Sequence, residues 1–142
     1  VKELCAFCSI HSFETWLYEH PDASVEEWAA EYDRIDKSFG RSMNNEKWRR
    51  EVLAGCDLFT NMPLYMFPRY VISYALSIVC AEQLSAAYDA DPADGWARYH
   101  ALCASGGSRT YAETLTAAGL PLPYAPGAVE SLAKDISRRL WG

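Results

Sequence analysis

Residues 62 to 76 read Met62-Pro63-Leu64-Tyr65-Met66-Phe67-Pro68-Arg69-Tyr70-Val71-Ile72-Ser73-Tyr74-Ala75-Leu76. This run places three tyrosines and an arginine around the start of a long apolar helix. Such side chains commonly cover a core helix while their polar tips reach water. The same tips can also donate hydrogen bonds to a carbonyl oxygen that becomes negative during acyl transfer. The residues alone leave both interpretations open.

Along the rest of the chain, apolar residues recur every three or four positions, and no long segment alternates with period two. We therefore predict an all-α fold, a helical bundle in one domain spanning residues 1–142. Helices are expected at about 2–19, 24–40, 44–56, 68–89, 91–105, 110–118 and 127–140. Residues 57–67 are expected to be non-helical, and Pro68 should occupy the first turn of the helix that follows.

Local signals support several of these helix boundaries. Ser24 with Glu27, and Thr110 with Glu113, have the spacing of a capping box at a helix N-terminus. The helix that starts near Pro68 is apolar on nearly all sides at its beginning, so we expect it to be central and buried.

Composition limits the classes of function. The chain has 142 residues and a net charge of −6, which argues against a nucleic-acid partner because phosphate binding needs clustered Lys and Arg. Its longest apolar run, residues 70–81, contains two serines and is too short to span a bilayer. Five cysteines without framework spacing indicate free thiols in a reducing, cytoplasmic setting. Cys80 and Cys103 lie in apolar runs and are expected to be buried.

The chain shows no motif for a complete active site. Cys5, Cys8 and His11 have metal-ligand character, but three ligands at this spacing drift around a helix and no second pair completes a zinc site. We predict no metal site in this chain. It also contains no H-E-x-x-H, no Gly-rich phosphate loop and no G-x-S-x-G. The chain alone is therefore not expected to catalyse a reaction through a familiar site.

The chain carries four blocks in order, at residues 13–24, 62–83, 94–99 and 106–119. Together they resemble the C-terminal part of the oligoendopeptidase F family, the thimet-type zinc oligopeptidases. Residues 13–24 are similar to that family's F-Q-x-W-x-Y-x-N-P-x-A-T block, and residues 62–83 to its P-F-Y-Y-I-D-Y-x-L-A segment and the V-C-A-x-Q that follows. Residues 94–99 match D-G-W-x-x-Y, and residues 106–119 resemble G-G-S-x-x-Y-x-E-L…A-G. Together the blocks cover residues 10 to about 140.

The resemblance implies an almost wholly helical fold with a deep cleft, in which a zinc ion is held by two His of H-E-x-x-H and a downstream Glu. Those ligands would precede Val1, so the chain is expected to be part of a longer peptidase and to bind no zinc itself. It would supply the opposite wall of the cleft, where tyrosine hydroxyls bind the oxyanion and the substrate backbone. On this basis Tyr74 and Tyr70 are the candidate catalytic residues, and Tyr65 and Arg69 are candidate substrate-binding residues.

The chain departs from the family pattern at three places. Val71 stands at the second position of the family's tyrosine pair, Ser73 stands where the family often has Asp, and Asp57 lies near a frequent His. The partners implied are short peptides and the preceding part of the same peptidase. A non-catalytic helical module that binds peptides or proteins is the alternative. A severed lobe would expose an apolar patch, so self-association is a further expectation.

Overall fold

The structure is a computed structural model that describes residues 2–40 and 62–142. Within these residues every regular element is an α-helix, which confirms the all-α prediction. The helices are α1 (Lys2–Glu19), α2 (Val25–Ser38), α3 (Met62–Met66), α4 (Ile72–Ala90), α5 (Pro92–Ser105), α6 (Tyr111–Ala117) and α7 (Ala128–Trp141). The helix predicted at 44–56 lies outside the described residues.

The capping signals form as predicted. The Ser24 hydroxyl accepts a hydrogen bond from the Glu27 N–H, and the Glu27 carboxylate accepts one from the Ser24 N–H at 2.7 Å. Thr110 and Glu113 make the same reciprocal pair at the start of α6. These pairs satisfy N–H groups that have no partner inside the helix, and so fix where α2 and α6 begin.

Two predictions for the 57–71 region are wrong. Residues 62–66, predicted as part of a non-helical passage, are helical. Pro63 is compatible with this short helix because N–H groups of a first turn have no intrahelical partner. Pro68 is not in the first turn of α4, because that helix starts at Ile72 and residues 67–71 form a turn. Arg69 has a left-handed backbone in this turn, with φ of 60°, which is incompatible with a continuous helix from Pro68.

The chain divides into two compact units, Val1–Ala75 and Leu76–Gly142. In the first unit, helices α1 and α2 pack together around a buried cluster. That cluster consists of Phe13, Tyr32, Ile35 and Leu64, with Trp16, Leu17, Trp28 and Phe39 packed against it. Phe13 is completely buried and is worth about 1.5–3 kcal/mol of hydrophobic stabilisation.

In the second unit the buried cluster is formed by Leu115, Ala118 and Leu120, with Cys80, Leu84, Ala101, Leu102 and Leu122 against it. Gly95 lets α5 cross close to α4, because a Cβ there would lie 2.4 Å from the Tyr88 Cα. Arg139 ties α7 to α4 through Glu82 at 2.5 Å and Ser85 at 3.0 Å.

Helix α4 and the cysteines differ from expectation. Only one side of the beginning of α4 is buried, through Val71 just before it and through Ala75 and Val79. Cys80 is half-buried, but Cys103 is exposed because it lies on the solvent side of α5, so the prediction of burial was wrong for Cys103. Among the described helices, none combines the length and the apolar character needed to cross a bilayer.

Candidate tyrosine and arginine site

The turn before α4 determines where the candidate residues lie. The Tyr70 N–H donates to the Phe67 carbonyl at 3.1 Å, and the Ser73 N–H and hydroxyl both donate to the Tyr70 carbonyl, at 3.0 and 2.6 Å. Tyr70 therefore lies two residues before the first residue of α4. Tyr74 lies one helical turn further along, on the same side.

Tyr70 and Tyr74 are brought together and remain accessible. Their ring centroids are 5.2 Å apart in an edge-to-face arrangement, and the side chains are 49% and 43% exposed. The neighbouring Tyr70 side chain is the main cause of the raised pKa of Tyr74. Neither phenol is enclosed in the helical packing, as a binding role requires.

Val71, which stands at the second position of the family's tyrosine pair, faces the core rather than this site. Its side chain is only 2% exposed and belongs to the core face that continues through Ala75. Helical geometry thus assigns positions 70 and 74 to the accessible side and positions 71 and 75 to the interior.

Arg69 is held at both its backbone and its side chain. Its N–H donates to the Oε1 atom of Glu14, a carboxylate that is 2% exposed. Its Cζ atom lies 4.9 Å from the centroid of the Tyr18 ring, in cation–π contact. Within residues 2–40 and 62–142 the guanidinium has no carboxylate partner.

One stripe of α1 lines this turn. Phe7 stacks on Tyr74 with centroids 5.0 Å apart, and Tyr18 contacts Arg69. Between them, His11 Nδ1 lies 3.7 Å from Glu14 Oε2. The four α1 residues are separated by four, three and four positions, the spacing of one helix face. Sequence reasoning missed this stripe, although its periodicity is visible in residues 7–18.

Tyr65 lies on α3 and is 46% exposed, while partial burial raises the pKa of its phenol. Its assignment to substrate binding remains a prediction.

The zinc implied by the family does not fit the described part of this chain. Residues 2–40 and 62–142 contain no group of three His, Cys, Asp or Glu side chains placed to hold a metal ion. Cys5 and Cys8 are half-buried free thiols; burial, followed by the proximity of Cys5, raises the pKa of Cys8. We therefore assign no chemical step of this chain to a metal.

Comparison with known proteins gives one informative match. No protein-family model matches the chain, and no curated protein matches it. A 3.1 Å X-ray structure of a "putative Oligoendopeptidase F" matches with a TM-score of 0.83 and 31% sequence identity. The match covers 96% of this chain and 24% of that one, so the chain spans about a quarter of the length of that structure.

The match covers nearly all of the region that carries the four sequence blocks, and the fold agrees along with the sequence. The resemblance is therefore confirmed: in both sequence and fold, this chain is similar to the helical C-terminal segment of oligoendopeptidase F.

Proposed function

We propose that the chain is the C-terminal portion of a zinc-dependent oligoendopeptidase that hydrolyses peptide bonds in short peptides, and that it forms one wall of the peptide cleft. The observation that supports this most strongly is the accessible Tyr70–Tyr74 pair, on a fold similar to that of oligoendopeptidase F.

In this proposal the tyrosine pair stabilises negative charge. The raised pKa of Tyr74 lies further from neutral pH than that of an ordinary tyrosine, so the O–H of this side chain remains available as a donor. Attack on a peptide carbonyl leaves a negative oxygen, and a donor that waits at this position lowers the barrier. Loss of one such donor typically costs about 2.7–4 kcal/mol.

Arg69 and Tyr65 bind the peptide beside this pair. Stacking on Tyr18 restricts the guanidinium of Arg69, and no ion pair within the described residues occupies its N–H groups. A restricted guanidinium suits the two oxygens of a carboxylate, which it binds in fork geometry. We therefore assign Arg69 to a carboxylate of the peptide substrate.

The catalytic metal belongs to the peptidase as a whole, and when bound it supplies Lewis-acid activation of water. The preceding part of the peptidase is then the principal partner of this chain, and its setting is cytoplasmic. The purified 142-residue chain is expected to leave a quenched fluorogenic peptide uncleaved, with or without added zinc. Cleavage by a contaminant-free preparation would contradict the proposal.

A second experiment tests the tyrosines in the peptidase assembled from this chain and the segment carrying H-E-x-x-H. The double variant Tyr70→Phe/Tyr74→Phe should lower kcat by roughly 10²–10³-fold. Tyr124→Phe is the matched control, because that phenol is also exposed but lies in the second unit. If the double variant and the control have equal kcat, the tyrosines do not stabilise the transition state.

The alternative function, a non-catalytic module that binds peptides or proteins, is favoured by one observation. Met66 and Phe67 are 60% and 53% exposed next to the tyrosines, so the turn carries accessible apolar surface. The coding sequence upstream of Val1 distinguishes the two functions. An in-frame H-E-x-x-H supports the peptidase, and a start codon at Val1 supports the module. Concentration-dependent self-association is expected in the first case, because the cleft wall would lack its opposite half.

A further inference from the structure

Glu14 is a buried carboxylate to which neither the sequence blocks nor the proposed chemistry gives a role. It is 2% exposed, although burying a carboxylate is unfavourable unless it gains hydrogen bonds. Its Oε1 atom accepts the N–H of Arg69, 55 positions away in the sequence. Among residues 2–40 and 62–142 its Oε2 atom has no hydrogen-bond partner, and His11 Nδ1 is 3.7 Å away.

The backbone that Glu14 holds is itself unfavourable. Arg69 is the non-glycine residue with positive φ in the described part of the chain, at 60°. A non-glycine residue keeps this backbone conformation only when its surroundings hold it there, and such residues concentrate at functional sites. A single contact therefore connects a carboxylate that needs a donor with a backbone that needs restraint.

The left-handed backbone of Arg69 determines where the Tyr70 side chain and the Arg69 guanidinium lie. The left-handed Arg69 lies inside the turn of residues 67–71, and Tyr70 follows it with an exposed side chain just before α4 begins. It also carries the Arg69 guanidinium to the Tyr18 ring. Tyr18 and Glu14 are four positions apart on α1, so one helix face fixes both the backbone and the side chain of Arg69.

We propose that Glu14 is a positioning residue that holds Arg69 in its left-handed conformation and thereby presents the guanidinium for a peptide carboxylate. The carboxylate part of this inference rests on the proposed function, whereas the restraint of Arg69 does not. An amide oxygen can accept the same N–H as a carboxylate oxygen, so glutamine in place of Glu14 tests whether a neutral acceptor is sufficient.

The test uses the 142-residue chain with amide hydrogen exchange followed by NMR. In the unaltered chain the Arg69 amide should be protected, although it lies in a turn. Glu14→Ala should accelerate its exchange by roughly ten- to a hundredfold, as expected for loss of a hydrogen bond to a charged acceptor. Glu14→Gln should keep part of this protection and exchange more slowly than Glu14→Ala, because its amide oxygen still accepts the N–H, although as a neutral and weaker acceptor.

Phe13→Leu is the matched control, because it perturbs the core next to Glu14 without removing an acceptor. It should change Arg69 exchange no more than it changes that of other α1 amides. If the Arg69 amide of the unaltered chain exchanges at the rate of an unstructured peptide, the proposal is overturned, even where Glu14→Ala does not fold. The proposal also fails if Glu14→Gln loses protection as fully as Glu14→Ala.

Peptide binding separates this inference from the proposed function. Fluorescence anisotropy would compare one labelled peptide with a free C-terminal carboxylate and its C-terminal amide. The unaltered chain and Glu14→Gln should prefer the carboxylate, whereas Glu14→Ala should lose the preference. Protection of Arg69 with no carboxylate preference in the unaltered chain would refute the carboxylate role but uphold the restraint. An unchanged preference in Glu14→Ala would refute Glu14 as the positioning residue.

Discussion

Replacing Arg69 by glycine or by alanine tests the conformation on which the candidate site depends. At a normal solvent-exposed helical position, glycine is less stable than alanine by about 1 kcal/mol. At a left-handed position the order reverses, because glycine has no Cβ and adopts positive φ without steric cost. The φ of 60° at Arg69 therefore predicts that Arg69→Gly is more stable than Arg69→Ala.

The magnitude follows from three terms. Both variants lose the cation–π contact with Tyr18, worth about 0.5–1 kcal/mol at an exposed site, so this term cancels between them. Only alanine keeps the left-handed penalty of roughly 1–2 kcal/mol. Glycine loses about 0.5–1 kcal/mol more through conformational entropy. The free energy of unfolding should thus be higher for Arg69→Gly than for Arg69→Ala by roughly 0.75 kcal/mol, the midpoint of a range of about 0–1.5 kcal/mol.

Urea unfolding followed by tryptophan emission would measure this difference. Trp16 and Trp28 pack against the core cluster of the first unit and report on its unfolding. Trp96 and Trp141 are 56% and 86% exposed, so their emission should change little. For a difference of about 0.75 kcal/mol, the urea midpoint should be about 0.25–0.75 M higher for Arg69→Gly at unchanged slope, given a typical slope of about 1–3 kcal/mol per M.

The same pair of substitutions at Arg34 is the control. Arg34 lies within α2 in the same unit, and its side chain is 67% exposed. There the order should be the opposite, with Arg34→Gly less stable than Arg34→Ala by about 1 kcal/mol. If the alanine variant were the more stable one at both positions, the backbone of Arg69 would not be left-handed. The positions assigned to Tyr70 and Glu14 would then also be wrong.

Three further predictions concern the second unit. Gly95→Ala should destabilise it by more than about 2 kcal/mol in thermal unfolding, because the new Cβ would lie 2.4 Å from the Tyr88 Cα; an unchanged midpoint would contradict the close crossing of α4 and α5. Arg139→Ala should cost about 1 kcal/mol through lost contacts with Glu82 and Ser85. Arg138→Ala, which loses an exposed pair with Asp135, should cost less than about 0.5 kcal/mol, and equal losses would refute the bridging role of Arg139. Burial raises the pKa of Tyr111 from the ordinary value of 10 to about 12, so between these pH values the folded state keeps a proton that the unfolded state has lost. The free energy of unfolding should therefore fall as the pH rises from about 10 to about 12. A Tyr111→Phe variant with the same alkaline decline would refute this.

The helical fold was largely predictable because its signals are local. Residues 2–19 were predicted as a helix and form one, and the capping box at Ser24 sets the start of α2. Spacing of apolar residues and caps depends on neighbours within a few positions, which a single sequence displays directly.

The turn before α4 was not predictable, because its conformation depends on a distant residue. Pro68 suits the first turn of a helix, and locally nothing in Pro68-Arg69-Tyr70 opposes that assignment. The hydrogen bond from Arg69 to Glu14 joins positions 55 apart and favours a left-handed residue in place of the helical turn. Periodicity on α1 shows that Glu14 shares a face with Tyr18, but it does not show which backbone group lies opposite.

The closeness of Tyr70 and Tyr74 limits what a single substitution can show about the proposed function. Their rings are in edge-to-face contact with centroids 5.2 Å apart, and each phenol carries one O–H group. After loss of one hydroxyl, the other phenol still offers a donor close to the same place. Under the proposal that these tyrosines stabilise the transition state, removal of both hydroxyls, rather than of one, is therefore the decisive test of their role.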